Sequence, residues 1–134
     1  MNKADRYNRS AFPFFKRPAM TLVKQPADCV SKTDIRTAID ALDEELLQLF
    51  ARRQGYVRRM ADLKQHPDEA FDHQRIETMV AALKDRAEEL GLEGAQTEAV
   101  WRTLIDWNVA FEKRTIAARL EALQDGPTKP GYDF

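Results

Sequence analysis

Apolar residues through the middle of the chain recur at steps of three and four. Ile35, Ile39, Leu42, Leu46, Leu49 and Phe50 keep this spacing, and so do Ile76, Met79, Val80, Leu83, Ala87 and Leu90. Further on, Val100, Leu104, Trp107 and Phe111 form one stripe, with Trp101 and Ile105 on the stripe beside it. This period is that of an amphipathic helix, and no segment shows the two-residue alternation of a half-buried strand. Proline and glycine divide the pattern into three long pieces. The first helix is predicted from about Asp34 to about Gln65, capped by Thr33 and ended by Pro67, with Gly55 inside it. The second is predicted from about His73 to Leu90, with Asp72 as its cap and Gly91-Leu92 as its C-terminal stop. The third is predicted from about Glu98 to Gln124, capped by Thr97.

Length then matters. A first helix of this extent is about 45 Å long, whereas a compact domain of about 100 residues has a radius of gyration near 13 Å. A chain of 134 residues leaves the apolar face of such a helix wet. The expectation is an all-α, three-helix fold completed as an intertwined homodimer, a second copy covering the long helix. The domain limits expected are a flexible basic arm over 1–30, the helical domain over 31–124 and a disordered tail over 125–134.

Composition narrows the function classes. Lys plus Arg number 21 and Asp plus Glu 22, a net charge of −1, which lacks the basic surplus of a nucleic-acid binder. Residues 1–19 carry Lys3, Arg6, Arg9, Lys16 and Arg17 against Asp5, a local +4 that leaves −5 on the remainder. Phe12, Phe14 and Phe15, broken by Pro13, are too short for a signal-peptide core, and Met20 is an alternative start. No apolar run approaches the roughly 18 residues of a membrane span. The single cysteine, Cys29, excludes an internal disulfide and fits a reducing, cytoplasmic setting. With only His66 and His73 beside it, no metal-ligand cluster is spelled out.

The informative residues are polar ones standing where core is expected. On the third helix, Trp101 and Ile105 are continued by Asn108 and Glu112, an amide and a carboxyl on a stripe that begins as core. On the first helix, Arg53 and Lys64 are eleven residues apart, roughly 20° off whole turns, so they share a face about 16 Å apart along the axis. Arg36 falls roughly 100° away from Arg53 around the same axis, where in a dimer it serves the partner's site. Each also has a plain reading: a solvated arginine beside Arg52, a cation near a helix C-terminus, or a surface pair of Glu112 with Lys113 or Arg114. Taken together they suit a small dianion held inside a helical dimer.

The order of residues resembles a known family. Asp34-Ile35-Arg36, Ile39-Asp40, Leu42-Asp43, Leu46-Leu47, Leu49, Arg53 and Lys64 resemble the opening helix of the all-helical chorismate mutases. Asp72 and Arg75 at the start of a second helix, Ala87-Glu88-Glu89-Leu90-Gly91-Leu92 at its end, and Glu112 deep in the third extend the resemblance over roughly 26–120. The family holds two chemistries: the Claisen rearrangement of chorismate to prephenate, and, in the isochorismate pyruvate lyase branch, loss of pyruvate from isochorismate to give salicylate. Pro26-Ala27-Asp28-Cys29 and Tyr56-Val57 resemble the lyase branch and the small mutases near it. Asp72 and Glu112 lean towards mutase, since the lyases lack the former and carry glutamine in place of the latter. One position departs from the mutase pattern: the glutamate that follows the second-helix arginine is Ile76 here, and Glu77 is one residue too late to replace it.

The resemblance implies an enzyme of chorismate metabolism without cofactor or metal, acting on a small dianion by holding its reactive shape and stabilising charge on the breaking ether oxygen. By resemblance, Arg53 binds one carboxylate, Arg36 of the partner subunit another, and Lys64 both a carboxylate and the ether oxygen. Arg75, Asp72 and Asn108 contact or orient the rest of the substrate. Glu112 reaches the ether oxygen, where it helps only as a protonated donor. Chorismate mutase is the leading expectation. The isochorismate lyase is the alternative, and a non-catalytic helical dimerisation or regulatory module is the third reading.

Overall fold

The computed structural model describes residues 23–126. The expected basic cluster over 1–19 and most of the expected tail lie outside these residues. Three helices carry the described chain, α1 (Lys32–Leu63), α2 (His73–Glu89) and α3 (Gly94–Gln124), with single 3-10 turns at Pro26–Asp28 and Pro67–Ala70. No strand occurs among the described residues, and the all-α fold class follows. None of these helices is long and apolar enough to cross a membrane. The chain divides into two compact units, Met1–Ala51 and Arg52–Phe134.

In the first unit the start of α1 is set by Ser31, not by Thr33. The Ser31 hydroxyl accepts the backbone N–H of Asp34 at 3.1 Å, and the Asp34 carboxylate accepts the backbone N–H of Val30 at 3.0 Å. This reciprocal arrangement satisfies two donors that a helix start leaves open, so the helix begins two residues earlier than the Asp34 expected. The Val30 N–H, followed by Lys24 at 3.3 Å, holds the Asp34 carboxyl below the usual carboxylate range. Ile35, Ile39, Leu42, Leu46 and Leu49, the row that identified the helix, each stay about half exposed at 47–54%.

The second unit holds the core: Ala61, Ala70, Val80, Ala87, Ile105 and Ile116 are buried. α1 stops at Leu63, short of the expected Gln65, because the next residues enter a different turn. His66 is extended, as the residue before a proline is obliged to be. Its ring Nδ1 accepts the N–H of Asp68, while the Glu69 carboxylate accepts the N–H groups of Gln65 and His66. The carbonyls left open at the end of α1 are met from α3. Arg119 Nη1 donates to the carbonyl oxygens of Ala61 at 2.9 Å and Asp62 at 3.2 Å, and its Nη2 donates to that of Lys64.

Both ends of α2 match the sequence reading. The Asp72 carboxylate accepts the N–H of Arg75 at 3.0 Å. At the other end Gly91 takes φ +81°, the left-handed conformation that costs an L side chain about 1–2 kcal/mol. The Leu92 N–H then returns to the Ala87 carbonyl at 2.8 Å and the Gly91 N–H to that of Glu88 at 3.1 Å. Thr97 does not cap α3. The Glu93 carbonyl already accepts from Gln96 and Thr97, so the helix is under way, and Thr97 is buried on its inner face. The tight turn at Gly91 leaves so short a connection that α3 starts at Gly94.

Ion pairs across the two helices show them antiparallel: Lys84 with Glu98 at 2.7 Å, and Arg102 with Glu77 at 2.9 Å. Arg102 also reaches Glu98 at 2.9 Å. The hydrogen bonds from Arg102 lower the Glu77 carboxyl, and those from Lys84 and then Arg102 lower that of Glu98, each from an ordinary value of 4.5. A carboxyl lowered on folding adds stability above its ordinary value and loses it as pH falls through the lowered one. The urea midpoint is therefore expected to fall as pH drops below 4.5, and to do so less steeply in the Lys84→Met, Arg102→Met variant. An equally steep acid limb in that variant, followed by circular dichroism, removes these pairs from the account.

Candidate active site

The inner face of α3 is built from Ile105, Asn108, Glu112 and Ile116, at steps of three and four, all buried. Two of the four are polar: Asn108 is 6% exposed and Glu112 7%. Burying an amide or a carboxyl without a partner costs several kcal/mol (about 2–7 for a neutral polar group), so these positions require an explanation that packing does not supply.

Glu112 has its partner. The Lys64 ammonium donates to Glu112 Oε2 at 2.7 Å, between side chains that keep 22% and 10% of their surface exposed. Lys64 is the residue directly after α1, with its N–H still bound to the Met60 carbonyl at 3.0 Å. The last turn of α1 thus aims a lysine at a carboxylate on α3, 48 residues away in sequence.

Among the described residues, two buried side-chain nitrogens have no partner: Nη1 of Arg53 and Nδ2 of Asn108. Buried donors are nearly always satisfied in native proteins. Asn108 stands one turn before Glu112 on α3, and Arg53 stands on α1 eleven residues before Lys64, close to whole helical turns. An amide, a guanidinium and an ammonium, each with capacity to donate, suit a ligand rich in carboxylate oxygens.

The other residues marked by sequence are arranged differently. Arg36, Asp72 and Arg75 are exposed. Asp72 has its carboxylate engaged as the α2 cap. Glu77, next to the departing position Ile76, gives both carboxylate oxygens to Arg102 at 2.9 and 3.0 Å and is not available to a ligand. Arg119 was not singled out from sequence. Its signal was its register, seven residues after Glu112 and so on the same face of α3. Among the described residues no group of three His, Cys, Asp or Glu is placed to hold a metal ion.

Residues 35–113, more than half of the chain, match the family described as chorismate mutase type II. The chain belongs to the chorismate mutase type II family. All of Arg36, Arg53, Lys64, Asp72, Arg75, Asn108 and Glu112 fall within the matched stretch. The chain is also similar to an isochorismate pyruvate lyase of Pseudomonas aeruginosa, 32% identical over 88 residues, which cover 66% of this chain and 87% of that protein. Enzymes of the chorismate mutase type II family act on chorismate-type substrates, and the Lys64–Glu112 pair lies in the part of the chain that this family shares.

The pair has a measurable weight. Lys64→Met leaves the Glu112 charge without its partner and is expected to cost about 3 kcal/mol of stability. Lys64→Met together with Glu112→Leu is expected to recover most of that in urea unfolding. A double variant no more stable than the single one breaks the assignment.

Proposed function

We propose that this protein is a chorismate mutase, converting chorismate to prephenate by a one-step Claisen rearrangement without a cofactor. The observation that carries this reading is the partly buried Lys64–Glu112 pair, which puts an acid, not an amide, against the cation of the site. In the reaction an ether C–O bond breaks as a C–C bond forms within the same molecule, so the protein transfers no group. Its work is to hold the folded dianion and to stabilise negative charge growing on the ether oxygen.

In this reading the unpartnered Nη1 of Arg53 and the Asn108 amide donate to substrate oxygens. Lys64, which holds the Glu112 carboxylate in the free protein, contacts a substrate carboxylate and the ether oxygen, and Glu112 donates to the ether oxygen once it has taken up a proton in the substrate complex. Arg75 and Asp72 stand at the wall of the site. The working unit is a homodimer, supported by the half-exposed row from Ile35 to Leu49. A second copy covers that row and brings its own Arg36 to the site. The free cysteine Cys29 fits a cytoplasmic enzyme.

The second reading is an isochorismate pyruvate lyase, favoured by the 32% identity to the Pseudomonas aeruginosa protein. Rates on both substrates decide between them. Prephenate formed from chorismate much faster than salicylate from isochorismate supports the mutase, and the reverse order replaces it with the lyase. Turnover of neither substrate by the folded protein overturns both.

Variants then test the roles. Lys64→Ala is expected to lower kcat by about 10²–10³-fold, and near-normal turnover ends the mechanism. Glu112→Gln, which keeps a hydrogen-bond donor at this position, is expected to retain more kcat than Glu112→Ala. Equal kcat in the two variants removes Glu112 from the ether oxygen.

A further inference from the structure

Lys64 lies just past the end of α1, where no further helical turn fixes it. It is nonetheless gripped twice by one helix. Its ammonium meets Glu112 Oε2 at 2.7 Å, and its carbonyl oxygen accepts from Arg119 Nη2. The other arm of the same guanidinium spans the carbonyls of Ala61 and Asp62. Glu112 and Arg119 are seven residues apart on α3, hence about 20° apart around its axis and about 10.5 Å along it. One rigid element therefore sets both the backbone and the charged tip of this lysine.

We propose that Arg119 is a positioning residue for Lys64, fixing through the end of α1 where the ammonium is presented to substrate. The proposal rests on the reading of Lys64 as a substrate-binding group. A lysine side chain is long and flexible, and holding it in one place is costly unless its base is anchored. The Arg119 fork supplies that anchor. Its charge also suits the negative end of a helix, whose last carbonyls have no partner within the helix. Arg119 lies outside the stretch 35–113 that the family match covers. A displacement of about 1 Å at a reacting group is enough to cost a large share of the rate.

The test is a double-variant cycle on whichever substrate the protein turns over. Arg119→Ala is expected to lower kcat by about 10- to 100-fold with a smaller change in KM. In the Lys64→Ala background the same change is expected to have little further effect on kcat, because the group it positions is gone. A purely structural role predicts an equal loss in both backgrounds, and that result overturns the proposal, as does parental kcat in Arg119→Ala. If Arg119→Ala does not fold, Arg119→Lys, which keeps the charge but cannot bridge the carbonyls, carries the same cycle with a smaller loss.

A second measurement does not depend on turnover. The side-chain ammonium signal of Lys64 in nitrogen–proton NMR is expected to be ordered in the parent and broadened in Arg119→Ala or Arg119→Lys. An unchanged signal overturns the proposal. If neither substrate is turned over, the functional reading fails, and this signal alone decides the role of Arg119.

Discussion

The placing of one carboxylate constrains much of the second unit. Glu112 occupies a core position on α3, between Ile105 and Ile116, and a buried charge there demands a counter-charge. Lys64 is that counter-charge, and it reaches Glu112 only if α1 ends where it does, with the chain leaving the helix after Leu63. The 3-10 turn Pro67–Ala70 and the Arg119 fork both serve that ending. A fully apolar stripe would pack with less demand on its neighbours. The demand is what makes the site definite, because a charged partner with few alternatives fixes the end of α1 against α3.

Much of this was legible in the sequence, for identifiable reasons. Helix number and class came from the three- and four-residue spacing, which reports a continuous face and tolerates local error. Asp72 and Gly91 were readable because each performs one task in one place: a carboxylate accepting a first-turn N–H, and a residue able to take positive φ. Asn108 and Glu112 stood out because they continue, in polar residues, a stripe that begins as core with Trp101 and Ile105. The family emerged from the order of cations and acids along these helices, which is specific to a site in a way that composition is not.

What stayed hidden was competition between near-equivalent groups. Thr33 and Ser31 are both good caps, and Ser31 wins because Asp34 stands three residues after it and can answer in return. Thr97 reads as a cap by type, but the Schellman turn at Gly91 delivers the chain into α3 too early for it. Arg119 shares the register of Glu112, but register alone does not single out one arginine among many with surface uses. Its role depends on which carbonyls another helix leaves open, and that is a fact of tertiary structure. The apolar row of α1 carried the clearest helical signal in the sequence, yet its residues remain half exposed in the single chain.

The distance along the chain between the parts of the site has a kinetic meaning. α2, the turn at Gly91 and α3 are neighbours in sequence, and their ion pairs close short loops. Such local contacts form early and quickly. The Lys64–Glu112 contact closes a separation of 48 residues, which costs more chain entropy and brings no gain until the helix hairpin exists. On contact separation alone, the helix hairpin is expected to assemble before the charged centre, and the centre to open before the hairpin.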